Sequence, residues 1–282
     1  MISTSAKIRI ARVLSALVLF SRKLARLTPN VVARRRGVTW ELNLAEGVDF
    51  AIYLLGGFEV RTLRSYETLI RKGDVVLDIG ANVGAHTLPL AQLVGETGHV
   101  YSFEPTRYAY SKQLTNIGLN PQLAQRISAQ QMMLTSSSAA ELPPAIYSSW
   151  PLESAEDLHA DHHGRLMATE GARPCTLDSF LAEECVTRVD FIKIDVDGNE
   201  ATVLRGAQAT LQKYKPQIMI ELAPYVYSED SREFDDLIES ITGMGYHLKD
   251  MATGRLLPKT PPALRRFIPE MGGLNVLATT SI

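Results

Sequence analysis

Several things are scarce in this chain, and each scarcity narrows what it can be. Among 282 residues there are two cysteines, Cys175 and Cys185. Such a pair is too few for a disulfide framework or a cysteine-rich metal site, and it suits a reducing cytoplasm. No internal repeat and no low-complexity tract interrupts the sequence. The apolar run at residues 13–20 falls far short of the ~20 residues needed to cross a bilayer. A net charge of −2 lacks the basic excess of a general nucleic-acid binder, so no nucleic acid is expected as a partner. Acids are absent from the first forty residues, which hold nine basic ones: Lys7, Arg9, Arg12, Arg22, Lys23, Arg26, Arg34, Arg35 and Arg36. This segment has no convincing small-residue cleavage site, and its cations fall where a secretory signal would stay neutral. Residues 6–27 read as a basic amphipathic helix. It either makes peripheral contact with an anionic membrane, at the inner surface for a cytoplasmic enzyme of lipid-linked sugars, or caps the domain that follows.

What the chain does have begins with Asp74-Val75-Val76-Leu77-Asp78-Ile79-Gly80-Ala81-Asn82-Val83-Gly84. An apolar strand enters a glycine turn, and a helical pattern (Leu88, Leu90, Ala91, Leu93, Val94) follows. Such a junction predicts backbone N–H groups free to face a ligand, with Gly84 letting helix and strand pack closely. Twenty residues on, His99-Val100-Tyr101-Ser102-Phe103 ends in Glu104, an acid placed to accept both hydrogen bonds of a ribose diol. Together these describe a nucleoside-type cofactor site; the blander reading is a buried strand with an ordinary turn. A dinucleotide fingerprint aligned on Gly80 would need glycine at Asn82 and Ala85. The pattern present, Asp-x-Gly-x-Asn-x-Gly, resembles the first motif of S-adenosylmethionine-dependent methyltransferases. Asp78, the turn at Gly80, Ala81 and Asn82, and then Gly84 suit the amino-acid end of that cofactor. Glu104, followed by Pro105, suits its ribose.

An apolar content of 45 % can fill a large core, and the chain is long enough for one elaborated domain. Residues 1–36 are read as the basic helical segment and 37–72 as a cap of one strand (38–44) and one helix (48–55, ended by Gly56-Gly57). Residues 73–282 form the main domain. In it, a helix is predicted over 108–119 and a strand within 127–134, where Gln130 or Gln131 would approach an adenine. Residues 135–175, with Pro143-Pro144 and Pro151, read as an irregular insertion with binding character from Tyr147, Trp150, His159, His162 and His163. Thr176 caps a helix running to 184. Val189-Asp190-Phe191-Ile192-Lys193-Ile194-Asp195-Val196-Asp197-Gly198 reads as a buried strand ending in two acids. A single helix follows, carrying Val203, Leu204, Ala207 and Leu211. Then come a strand capped by Glu221, a helix through Phe234, Leu237, Ile238 and Ile241, and two short strands joined at Thr253-Gly254. The alternation predicts a doubly wound α/β sheet.

With these motifs quoted, the chain resembles the FkbM family of class I methyltransferases over roughly residues 37–280. The matching stretches are residues 76–84, Phe103-Glu104-Pro105, 190–198 and the Glu221 strand. The resemblance implies a Rossmann-like seven-stranded sheet with an antiparallel last strand. It also implies S-adenosyl-L-methionine as cofactor, and O-methylation of a sugar, polysaccharide or similar hydroxylated small molecule. Asp195 is the first choice for the base that takes the hydroxyl proton, and Asp197 the second. Asp195, Asp197 and Glu221 offer oxygen ligands for Mg²⁺, the less favoured alternative, so no residue is assigned to a metal. Lys193, inside an apolar run, is expected to reach a carboxylate, Glu221 or Asp195, because a buried unpaired ammonium is costly. The competing readings are an NAD-dependent oxidoreductase and a non-catalytic adenosylmethionine-binding module.

Overall fold

The computed structural model describes residues 4–148, 152, 164–227, 232–270 and 272–280, with side chains from residue 10 onward. Seven strands make one sheet: β1 (Val75–Ile79), β2 (His99–Phe103), β3 (Ile127–Gln130), β4 (Phe191–Ile194), β5 (Gln217–Leu222), β6 (His247–Asp250) and β7 (Leu274–Thr279). Their order across the sheet is β6-β7-β5-β4-β1-β2-β3. The five strands from β3 to β5 are parallel neighbours, and β7 is antiparallel to both β5 and β6. This is the class I methyltransferase sheet with the reversed last strand that the resemblance implies.

Strand side chains alternate between two buried layers, as a two-residue period requires. Leu77, Ile79, Ile192, Ile194, Ile218 and Ile220 face one core. Val76, Val100, Phe191 and Met219 face the other. The second core is covered by α1 (Thr4–Leu24), α2 (Gly47–Leu55), α3 (Val60–Leu69), α4 (Thr87–Val94), α5 (Arg107–Gly118) and α6 (Pro121–Ala124). Helices α7 (Leu177–Glu183), α8 (Glu200–Arg205), α9 (Gln208–Tyr214), α10 (Glu233–Gly243) and α11 (Pro261–Phe267) cover the first. Each fully buried Leu or Ile contributes on the order of 1.5–3 kcal/mol, so both faces of the sheet are strongly held. Chain direction around the sheet reverses between β1 and β4, which opens a crevice at the carboxyl ends of those strands.

The helical pattern from Leu88 to Val94 is α4, which starts at Thr87 after a turn over residues 82–86. Elsewhere the structure differs from the sequence-based expectations in several places, each with a local cause. The strand expected within 127–134 divides into β3 and Met132–Leu134, and the latter pairs in parallel with Arg173–Cys175. The stretch read as an irregular insertion therefore carries regular structure, including an antiparallel hairpin of Ala145–Ser148 with Arg165–Ala168. The single helix expected after Asn199 is two, α8 and α9, separated at Gly206. A Cβ there would lie 2.2 Å from the Thr135 carbonyl oxygen, so only glycine allows this loop to cross so closely. The strand at Val38–Asn43 has a partner that its own pattern did not announce, Asn30–Arg35. The boundary drawn between residues 36 and 37 thus falls in a hairpin turn. Helix α3 was also not foreseen, and α11 lies between the last two strands, beyond the Thr253-Gly254 turn.

Candidate active site

A cleft of about 620 Å³ opens at the carboxyl ends of β1, β2 and β4, a size usual for small-ligand sites. Its floor is the first turn. Gly80 takes φ +79°, and a Cβ on it would stand 1.8 Å from the Asp195 carbonyl oxygen. Glycine there is what lets the loops after β1 and β4 meet. The expectation of free N–H groups in this turn is overturned. Gly80 and Ala81 both donate to the Phe103 carbonyl, at 3.0 Å each, and Gly84 donates to Ala81 at 2.9 Å. Asn82 donates to Glu104 Oε2 at 2.9 Å, and Val83 donates to the Asn82 side-chain oxygen at 2.8 Å. With those donors taken, the turn is no phosphate cradle, which counts against the dinucleotide reading.

Glu104 is buried at the cleft edge and also accepts from the Thr106 N–H and hydroxyl, at 2.9 and 2.5 Å. Burial raises its pKa, and the Thr106 and Asn82 bonds pull it back only in part. Gly80, Ala81, Asn82, Glu104 and Pro105 line the cleft, whereas Asp78 and Gly84 do not. Asp78 is sealed beneath the turn, where it accepts from the Thr87 hydroxyl at 2.6 Å. Gln113 extends that buried chain, donating to Thr87 and to the Ser102 hydroxyl. Asp78 can therefore reach a ligand only through other groups. Gly84 packs toward Gln113 of α5 rather than toward its own strand. Gln130 and Gln131 also stay out of the cleft, and Gln131 donates to the Glu170 carbonyl at 2.8 Å. In their place Met132, Met133 and Leu134 present an apolar wall.

Asp195 and Asp197 come together with Lys193 on the opposite wall. The Lys193 ammonium, fully buried, lies 3.3 Å from Asp195 Oδ2, 3.5 Å from Asp78 Oδ1 and 3.3 Å from the Gly80 carbonyl. Burial by itself lowers its pKa, but Asp195, Asp78 and Glu59 outweigh that and hold it charged. Burial likewise opposes ionisation of Asp195, yet Lys193 wins and keeps that carboxyl below its usual range. Glu221, hydrogen-bonded to Asp195, is pushed well above the carboxylate range by burial and then by the Asp195 charge. It holds its proton. Asp197 sits in left-handed backbone at φ +48°. Enclosure, Asp195 and Glu200 push it up to about 8, although its surface is open to cleft solvent, which screens that push.

Several site residues carried no signal in the sequence. Glu59 accepts from Asn275 at 2.8 Å and from Thr62 at 3.2 Å. Asn275 in turn stands opposite Glu221 in the β5–β7 pairing. His86, between the turn and α4, is buried at the cleft wall with Phe58 and Tyr66 edge-on to its ring. Its Nδ1 lies 3.1 Å from the Tyr66 hydroxyl, and its Nε2 has no hydrogen-bond partner. Burial, then Lys193, lowers its pKa to about 3, so it is neutral. Only α3 could have revealed these neighbours, through its apolar spacing of Leu63 and Tyr66.

The hairpin at Ala145–Ser148 closes another side, with Ile146, Tyr147 and Ser148 lining the cleft. The Asn82 amide donates to the Ser148 hydroxyl at 3.3 Å, tying hairpin to turn. Trp150, His159, His162 and His163 lie outside the described residues. Among the described residues, no group of three or more His, Cys, Asp or Glu is arranged to hold a metal ion, Asp195, Asp197 and Glu221 included.

Residues 78–248 match the family model described as the Methyltransferase FkbM domain. Similar solved structures include a methyltransferase FkbM from Methylobacillus flagellatus KT, at 19 % identity and TM-score 0.47 over 79 % of this chain and 48 % of that one. Another is fibrillarin from Aeropyrum pernix with natively bound S-adenosyl-L-methionine, at 13 % and 0.46 over 89 % and 82 %. A third is a SAM-dependent methyltransferase from Aquifex aeolicus, at 14 % and 0.41 over 82 % and 92 %.

Proposed function

The chain belongs to the FkbM methyltransferase family, and from that premise we propose an S-adenosylmethionine-dependent O-methyltransferase that acts on a hydroxyl of a sugar, polysaccharide or similar hydroxylated metabolite. The observation that carries this reading is the pairing of an ionised Asp195 with a buried Lys193 at the foot of a cleft whose other rim is Glu104.

The residues present fit the cofactor. Glu104 supplies acceptor oxygens for a ribose diol, and Met132, Met133 and Leu134 offer an apolar bed for a flat heterocycle. Around Lys193 the carboxyl groups outnumber the one ammonium, so the site favours a cationic ligand. When bound, adenosylmethionine supplies an electrophilic methyl group on a sulfonium. The chain's own part is to orient the two reactants and to receive a proton. Orientation can supply roughly 7–11 kcal/mol of the barrier. Proton removal from the acceptor hydroxyl by Asp195 adds ~10²–10⁴-fold. Glu221, protonated and hydrogen-bonded to Asp195, fixes the direction in which that carboxylate points.

His86 supports a second reading for the proton acceptor alone. In the tautomer with hydrogen on Nδ1, that N–H donates to Tyr66, and the Nε2 lone pair is left at the cleft wall.

Calorimetry and a methyl-transfer assay on pooled glycans and metabolites, read as a 14-dalton gain, test both. Asp195→Asn keeps the side chain's shape and an oxygen for Lys193. It is expected to bind adenosylmethionine within a few-fold of wild type and to lose ~10²-fold or more in turnover. Full turnover in that variant with loss in His86→Gln would move the role to His86. Wild-type protein that does not bind adenosylmethionine would overturn the whole reading, and binding without transfer to any acceptor would favour a non-catalytic module.

A further inference from the structure

Helix α1 carries two apolar faces, and the protein covers only one of them. On the inner side, Ser15 is buried and donates to the Leu44 carbonyl at 2.8 Å. Ala11, Val18 and Leu19 pack on the core beneath. On the outer side, Ile10, Val13, Leu17, Phe20 and Leu24 are 51 %, 62 %, 62 %, 63 % and 71 % exposed. At about 100° per residue these five fall within an arc of roughly 80°, nearly opposite Ser15. A helix that only capped the domain would turn a polar face outward.

The surroundings of this stripe are basic. Lys23 and Arg26 are exposed at its end, and Arg34 and Arg36 are exposed on the adjoining hairpin. No acid occurs in the first forty residues to neutralise them. Among the described residues no helix is long and apolar enough to cross a membrane.

We propose that the outer face of α1 docks the enzyme on an anionic lipid surface, lying in the interface with its apolar stripe among the acyl chains and its cations at the headgroups. Charge decides between this occupant and a second copy of the chain. A two-fold contact through the same stripe would set cations of one copy near those of the other, whereas anionic headgroups complement them. The inference does not depend on which acceptor is methylated.

Co-sedimentation of the full chain with vesicles of phosphatidylcholine, alone or mixed with phosphatidylglycerol, tests it, with light scattering run in parallel. The expected result is binding to the mixed vesicles, weakened by salt and at least about tenfold weaker in Leu17→Glu/Phe20→Glu. The double charge reversal Lys23→Glu/Arg26→Glu should lose the preference for anionic lipid. All four positions are exposed, so adenosylmethionine affinity and thermal unfolding should match wild type and show that the variants are folded. Wild-type protein that stays in the supernatant with mixed vesicles overturns the proposal. So does a dimer that Leu17→Glu/Phe20→Glu disperses while vesicle binding is absent throughout.

Discussion

A buried histidine that cannot carry its proton gives the site a measurable signature at the scale of one residue. His86 titrates near 3 in the fold, because burial and then the Lys193 ammonium disfavour its charged form. In the unfolded chain it returns to its ordinary value near 6.5. Between these values the unfolded state binds a proton that the folded state refuses. Its contribution is therefore complete above 6.5 and is lost as pH falls toward 3, with a slope of at most ~1.4 kcal/mol per pH unit. Urea unfolding of wild type and His86→Phe from about pH 4 to about pH 7, which spans the window between the folded and unfolded values, should show a shallower acid-side loss in the variant. Equal slopes would mean that His86 is protonated in the fold. Nothing in the sequence around His86 marks it, since its environment comes from α3, twenty residues upstream.

At the scale of elements, the N-terminal hairpin is held by side chains doing the work of a neighbouring strand. The outer edge of Val38–Asn43 would present unpaired backbone groups to the interior. Two side-chain amides meet them, Asn116 in α5 and Asn120 at the start of α6. Asn120 accepts from the Thr39 N–H at 2.9 Å and donates to the Thr39 carbonyl at 2.7 Å. Asn116 accepts from the Glu41 N–H at 2.8 Å and donates to the Val83 carbonyl at 3.0 Å, which joins the hairpin to the turn after β1. Removing such a partner costs ~1–3 kcal/mol for each buried group left unpaired. Asn120→Ala should therefore speed hydrogen exchange across residues 38–43 while β1 and β4 keep wild-type protection. Equal acceleration throughout would show that the hairpin and the sheet open as one unit. This device was invisible beforehand. Asn116 reads as an ordinary polar position late in a helix, and Asn120 as one just past its end, until the strand they face is known.

For the whole molecule, the distribution of charge matters more than its sum. The acids that gather at the cleft come from the loops after β2 and β4, from β5 and from the start of α3, and among the described residues Lys193 is the lysine or arginine that stands with them. Glu59, Glu104 and Glu221 are all shifted upward, in each case mainly by burial. A cationic ligand favours their ionised forms, so adenosylmethionine should release protons on binding and bind more tightly as pH rises. Titration calorimetry in two buffers of different ionisation enthalpy should give a release on the order of one proton at neutral pH. Adenosylhomocysteine, which lacks the sulfonium charge, should release fewer. Proton uptake would contradict this charge balance.

The sequence by itself determined the doubly wound order, the strand-ending acids and the family, because these rest on local periodicity and on short motifs whose residues are contiguous. The need for a carboxylate partner at Lys193 was also legible, since a charge inside an apolar run permits few outcomes. Only the tertiary structure decided that the first turn consumes its own N–H groups and that Asp78 lies beneath the cleft. It likewise brought Glu59 and His86 to the acids after β4, and gave the insertion a hairpin that closes over Asn82. The physical reason is the same throughout: these features depend on which distant segments meet, and a pattern along the chain carries no distance across it.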